Sequence, residues 1–242
     1  MHKETSGSAR QRQDVLTALT VAAAALLLAL SLNFVRPAFA ETGELITTAD
    51  QVKDASEAAG VDLYHRGFYE AAMKVWKRAV EEKQDAGAAF RLGEEYFDAK
   101  VVDRSMTDAV KYMMIGAEGG DPRAQMDLGT YYDKGWGVKH DRELAARWYK
   151  AAADNGKPDA QYNIGTMYED GEGVEKNLKL AYAYYLMAAK NGFPNYPAEA
   201  IQRLSKEMEP ADIKAASKMA ATMMKSQPQD PLAPAAAAES MK

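Results

Sequence analysis

The chain has 242 residues, a formal net charge of −5 and no cysteine. That length allows one domain or two small ones, the acidic balance argues against a nucleic-acid binder, and the lack of cysteine excludes disulfide staples, thiolate metal sites and cysteine nucleophiles. The histidines, His2, His65 and His140, lie far apart, so no pair has metal-ligand spacing.

Lys3, Arg10 and Arg12 open the chain, an uncharged run follows from Val15 to Leu32, and Pro37, Ala38 and Ala40 come next. A basic start, an apolar run and a small-x-small ending form the pattern of an export signal, with cleavage expected after Ala40. An apolar run of this length also just spans a bilayer, so an uncleaved anchor over residues 15–32 is the alternative. The rest of the chain is more acidic still and has no second long apolar run. The expected product is a soluble domain outside the cytoplasmic membrane, periplasmic or secreted. No ATP pool is expected there, which disfavours a kinase or ATPase.

Beyond the leader the chain reads as helices. An irregular first unit is expected over 48–87, with one helix over Thr48 to His65 and a second around Trp76. A helix over Ala86 to Asp98 then opens a run of three similar units, 88–123, 124–159 and 160–195. Shifting the chain by 36 residues superimposes Gly93, Gly129 and Gly165, and likewise Tyr96, Tyr132 and Tyr168. Tyr112, Trp148 and Tyr184 share a further column, as do Gly120, Gly156 and Gly192. Gapless matches at a fixed period of this size are the signature of a helical-repeat solenoid.

Each unit reads as two helices, A and B. Pro122 and Pro158 suit the first position of helix A, where the backbone N–H has no partner in any case. Ala124, Leu128 and Tyr132 fall four apart on one face. Gly129 sits inside helix A, where it costs about 1 kcal/mol of propensity, so its return in all three units predicts a close helix–helix approach. Ser105, Asp141 and Asn177 share the column expected to cap helix B. Helix B of the second unit is expected over about Arg142 to Asp154, and Gly156 then fits the left-handed residue after its end. Two capping helices are expected within 197–226, and the Pro/Ala-rich stretch 227–242 reads as a disordered tail. The fold class is therefore all-α, a right-handed α-solenoid of stacked antiparallel helix pairs.

The unit resembles the Sel1-like repeat, a relative of the tetratricopeptide repeat with a longer loop between its helices. The residues that carry the likeness are Ala124, Leu128, Gly129, Tyr132, Gly135, Gly137, Val138, Asp141, Ala145, Trp148, Tyr149, Ala152, Ala153 and Gly156. The third unit repeats them from Ala160 to Gly192, with Asn177 in place of the aspartate. The first unit departs from the pattern, with Ala99 and Val101 where the loop glycines stand, so its loop is expected to bend differently. The resemblance implies a non-catalytic adaptor that binds a protein partner through its repeat surface, without cofactor, nucleotide or nucleic acid. Exported bacterial relatives are associated with envelope assembly, polysaccharide secretion and restraint of sensor kinases. Two alternatives stay open: a periplasmic regulator of a two-component sensor, and a cell-wall or polysaccharide binding module. Cysteine-rich relatives that bind β-lactams do not carry over to a chain without cysteine.

The segment "DKGWGV" (133–138) superficially resembles a nucleotide-binding glycine loop, but it lacks the third glycine and the preceding strand. Gly135 and Gly137 read instead as residues for unusual turn dihedrals, with Val138 plugging the seam between units. Trp136 shares its column with Lys100 and Glu172, so the fold does not require an aromatic there. It is expected to be exposed, as binding hot spots often are. Tyr131, Tyr149 and Tyr185 each neighbour a repeat aromatic and are expected to form a surface ladder for a partner, with core filling as the alternative. Gln125 and Gln161 are further candidates, for contacts with a bound peptide backbone. No catalytic constellation and no metal site are expected.

Overall fold

A computed structural model describes residues 48–228. The leader expected over 1–40 and the tail beyond Pro228 lie outside the described residues. A short 3-10 turn, Ala49–Gln51, precedes ten α-helices among the described residues: α1 (Glu57–His65), α2 (Tyr69–Lys83), α3 (Ala86–Asp98), α4 (Met106–Glu118), α5 (Pro122–Lys134), α6 (Arg142–Asp154), α7 (Pro158–Asp170), α8 (Leu178–Lys190), α9 (Tyr196–Glu207) and α10 (Pro210–Lys225). Helices α3/α4, α5/α6 and α7/α8 are the three A/B pairs. Each B helix also packs on the A helix that follows it, which makes the stack a solenoid.

The chain restarts at the same points in every unit. Ser105, Asp141 and Asn177 cap the B helices, their side chains accepting from the backbone N–H of Asp108, Leu144 and Leu180. The backbone N–H of each of these caps donates to the carbonyl of Tyr96, Tyr132 or Tyr168 at 2.8–3.0 Å, which closes the loop between the helices. Gly135 and Gly137 adopt φ of +70° and +69°, and Val138 packs into the cluster that joins the first two units. The loop of the first unit does not bend differently at its start. Ala99 takes φ +57°, close to the conformation of Gly135, and ends α3 in the same way.

The core runs along the stack. Leu92, Leu128 and Ile164 are fully buried, as are Ala88, Ala124 and Ala160 beside them. Small residues let adjacent helices approach, and large ones fill the gaps left. Ala117 and Ala153, near the ends of two B helices, are buried beneath the following A helix, whereas the equivalent Ala189 is exposed. The regular stack ends there, because α9 and α10 both pack back on α8. Helix α10 brings Met219, Ala220 and Met223 into the cluster around Tyr184. Tyr184 is therefore 1% exposed, while its column mates Tyr112 and Trp148 are only half-buried.

Two expectations about the ends need correction. The helix expected over Thr48 to His65 begins only at Glu57, where the Ser56 hydroxyl accepts from the N–H of Ala59. The stretch before it forms the 3-10 turn. The expected tail starts too early as well, since Gln227 is held by the fold, its Nε2 donating to the carbonyl of Ala153 at 2.8 Å.

Candidate functional site

The tyrosine ladder expected on the surface is interior packing. Tyr131, Tyr149 and Tyr185 are at most 4% exposed. The cause for two of them is the helix-interior glycine. A Cβ at Gly129 would lie 2.6 Å from the Tyr149 ring, and one at Gly165 would lie 2.8 Å from the Tyr185 ring. The glycine thus makes a slot, and the B-helix tyrosine fills it. Met113 fills the same slot over Gly93, and Trp76 fills one over Gly60. By position in the repeat Trp76 matches Tyr112, but by packing it takes the role of Met113.

The hydroxyls of Tyr149 and Tyr185 both have partners. Tyr149 donates to Thr130 Oγ1 at 3.2 Å. Tyr185 donates to Glu169 at 2.7 Å, and Glu169 also binds Arg203 of α9. Burial pushes the pKa of Tyr131, Tyr149 and Tyr185 upward, and for Tyr185 the adjacent Glu169 adds to the shift. These groups are locked in place rather than offered to a partner.

Gln125 and Gln161 are corrected in the same way. Both are buried, and each ties three helices together. Gln125 Nε2 donates to the carbonyl of Ala117, and its Oε1 accepts from Asn155 Nδ2 at 3.1 Å. One unit on, Gln161 bonds the carbonyl of Ala153 and accepts from Asn191 at 3.0 Å. Each Gln therefore joins the end of the previous B helix to the end of its own. An amide engaged at both ends is cohesive, and burial keeps both side chains out of reach of a bound peptide.

Trp136 does reach the surface, at 44% exposed. Its indole rests on Phe97, with ring centroids 5.6 Å apart, and on Tyr131 at 6.4 Å. The Arg104 guanidinium stands 4.9 Å above the Phe97 ring. A loop of the second unit thus lays its indole over the end of α3 in the first. Buried Tyr131 underpins the patch, half-buried Phe97 and exposed Trp136 form its face, and Arg104 flanks it. Sequence reasoning did not name Phe97 or Arg104. A signal for Phe97 was present, since its column holds Asp133 and Glu169 in the other units.

The A helices carry a polar face beside this patch. Arg91, Glu94, Asp127, Thr130, Asn163 and Thr166 are all half-buried along it. Burial, reinforced by the nearby Glu94 carboxylate, raises the Asp127 pKa to about 6, and burial raises that of Glu94 too. No group of three or more His, Asp or Glu side chains among the described residues could hold a metal ion. No helix among them is long and apolar enough to cross a membrane.

The profile of the Sel1 repeat matches residues 86–121, 122–157 and 158–193, so its units start two residues before those read from the sequence. Among solved structures, a protective antigen of uropathogenic Escherichia coli displaying an SLR fold is 28% identical, with a TM-score of 0.57 over 65% of this chain and 33% of that one. The present chain thus spans about a third of that relative. A Sel1 repeat protein from Oxalobacter formigenes is 37% identical over 54% of this chain and 95% of that one, with a TM-score of 0.48. Cysteine rich protein B of Helicobacter pylori is 23% identical over 53% of this chain and 96% of that one, with a TM-score of 0.41. The curated proteins give no match.

Proposed function

The chain belongs to the Sel1 repeat family, whose members are non-catalytic scaffolds for protein–protein interaction, and we propose that it is an exported adaptor that holds a protein partner in the bacterial envelope through the surface around Trp136. The observation that carries the reading is the exposure of that indole on a rigid base of Phe97 and Tyr131. Rigid, exposed tryptophan supplies much contact area at little entropic cost, and it is enriched among binding hot spots. Arg104 at the rim adds a charge for orientation. Export is supported by the sequence of the leader alone: the basic start, the run from Val15 to Leu32 and the Ala38-x-Ala40 ending.

The test is a photoreactive side chain at position 136, crosslinked in cells, with the captured species identified by mass spectrometry. A discrete envelope protein supports the adaptor, and the extracytoplasmic domain of a sensor kinase would make it a regulator. Capture of glycan fragments, or of nothing above background, overturns the assignment of this surface. Terminal sequencing of the protein from cell fractions tests export separately. A soluble chain beginning at Glu41 is expected, and a chain retaining residues 15–32 in the membrane fraction would make the segment an anchor.

A further inference from the structure

Glu95 is 6% exposed, and its Oε2 is the one buried side-chain oxygen or nitrogen among the described residues without a hydrogen-bond partner. The fold does not call for a carboxylate there, because the same column holds Tyr131 and Met167 in the next two units, both buried. Burying a carboxylate without a full set of partners is costly, so a chain that places one at a core position needs a compensating contact. The Glu95 side chain lines a cavity of about 170 Å³ between the irregular first unit and α3, with Tyr64, Trp76 and Glu94 among its other walls. The Tyr64 and Trp76 rings stand 5.7 Å apart, and the Tyr64 hydroxyl donates to the Glu95 carboxylate, which leaves Oε2 the oxygen without a partner. Exposed His65 and Lys100 lie at the mouth.

The cations that also line the cavity are engaged elsewhere. Arg91 bonds Glu57 at 3.0 Å and Glu94 at 3.1 Å, and the Lys100 ammonium sits 2.7 Å from Asp98. The Glu95 carboxylate and the half-buried Tyr64 ring beside it together suit an organic cation, attracted by the carboxylate and by the face of the ring. A bare metal ion would find too few oxygens. The space exceeds the share of several water molecules. We propose that this cavity receives one lysine or arginine side chain of the partner protein, with the Glu95 carboxylate accepting from its ammonium or guanidinium group. The inference rests on the adaptor reading for the cation being carried by a polypeptide. Its site, between α1, α2 and α3, is separate from Trp136.

The test uses the whole exported chain and three capped five-residue peptides, alanine throughout except for a central arginine, lysine or norleucine. The readout is the Trp76 indole N–H resonance, which is distinctive because that group donates to the carbonyl of Glu57. The other two tryptophans are assigned by Trp136→Phe and Trp148→Phe. The expected result is a saturable shift with the arginine or lysine peptide and none with norleucine. Glu95→Gln should weaken binding roughly tenfold, the worth of a charge-assisted hydrogen bond. Glu95→Met, which installs the residue type found at position 167, should abolish binding while the chain melts no lower than the parent. No shift up to tens of millimolar peptide, an equal response to norleucine, or unchanged affinity in Glu95→Gln would each overturn the proposal and leave Glu95 as a hydrated carboxylate. Crosslinking from position 136 in the Glu95→Gln chain separates the two readings. Capture that persists there while the peptides fail to bind removes the cation pocket and keeps the adaptor.

Discussion

The ring of Tyr149 occupies the space that any side chain at Gly129 would need, with a Cβ there falling 2.6 Å from Cδ1. The propensity lost at a helix-interior glycine is about 1 kcal/mol, and it is offset by burial of a whole tyrosine ring. Gly129→Ala should therefore lower stability by about 2 kcal/mol although alanine is the better helix former, because overpacking outweighs propensity. Urea unfolding measures it. In a Tyr149→Leu background most of that penalty should vanish, and equal penalties in both backgrounds would show that the ring is not its cause.

Ala99 offers the opposite experiment. It holds φ +57° at the end of α3, where the next two units place Gly135 and Gly171. A left-handed alanine costs about 1–2 kcal/mol, and glycine has no Cβ to strain. Ala99→Gly should raise the stability of the folded chain by about 0.5–1 kcal/mol after its greater freedom in the unfolded state is subtracted. A thermal melt that is unchanged or lower would contradict the strain.

Much of the architecture was legible because it repeats. A fixed period, proline at helix starts and interchangeable Ser105, Asp141 and Asn177 caps are local signals, and the structure follows them. The burial of Tyr149 and Tyr185 was not legible, because adjacency along a helix does not say which of two aromatics points inward. The slot opened by a glycine twenty positions earlier decides that, and it is a contact between helices. The Gln–Asn ties were missed for a related reason. A polar residue reads as surface until its acceptor and donor, 8 and 30 residues away, are known. Trp136 was legible because its column also admits Lys100 and Glu172, and Glu95 marks the limit of that argument, a carboxyl in a column that is core.

Those ties make a prediction about the C-terminal edge. The Ala153 carbonyl accepts from both Gln161 and Gln227, and Asn191 donates to Gln161 at 3.0 Å. Gln161→Leu keeps the bulk but removes both of its hydrogen bonds and leaves the half-buried Asn191 amide short of a partner. The expected loss is about 1–3 kcal/mol. Gln227→Ala removes only the Gln227 amide, which leaves the carbonyl its bond to Gln161, and should change stability by under about 1 kcal/mol. Hydrogen exchange at the end of α6 reports both. Equal losses from the two changes would place the strength of the tie in Gln227 instead of Gln161.

The polar face of the A helices predicts a dependence on pH. The Asp127 pKa rises from 3.8 to about 6, first through burial and then through the charge of Glu94, with Lys157 opposing and Asp121 and Asp98 adding. A carboxyl whose folded pKa lies above its unfolded value favours folding most when it is protonated in both states, below about pH 4. That contribution is lost as the pH climbs to about 6, where the folded chain must ionise a largely buried group. Asp127→Asn removes the ionisation and keeps the size. It should stabilise the chain at pH 7 by about 1 kcal/mol, discounted from the full linkage value because the residue is partly exposed, and by almost nothing at pH 4. Parallel urea titrations of the parent and variant at the two pH values measure the difference. A gain of the same size at both would mean that asparagine improves the packing or hydrogen bonding of this face, with no part played by the carboxyl proton.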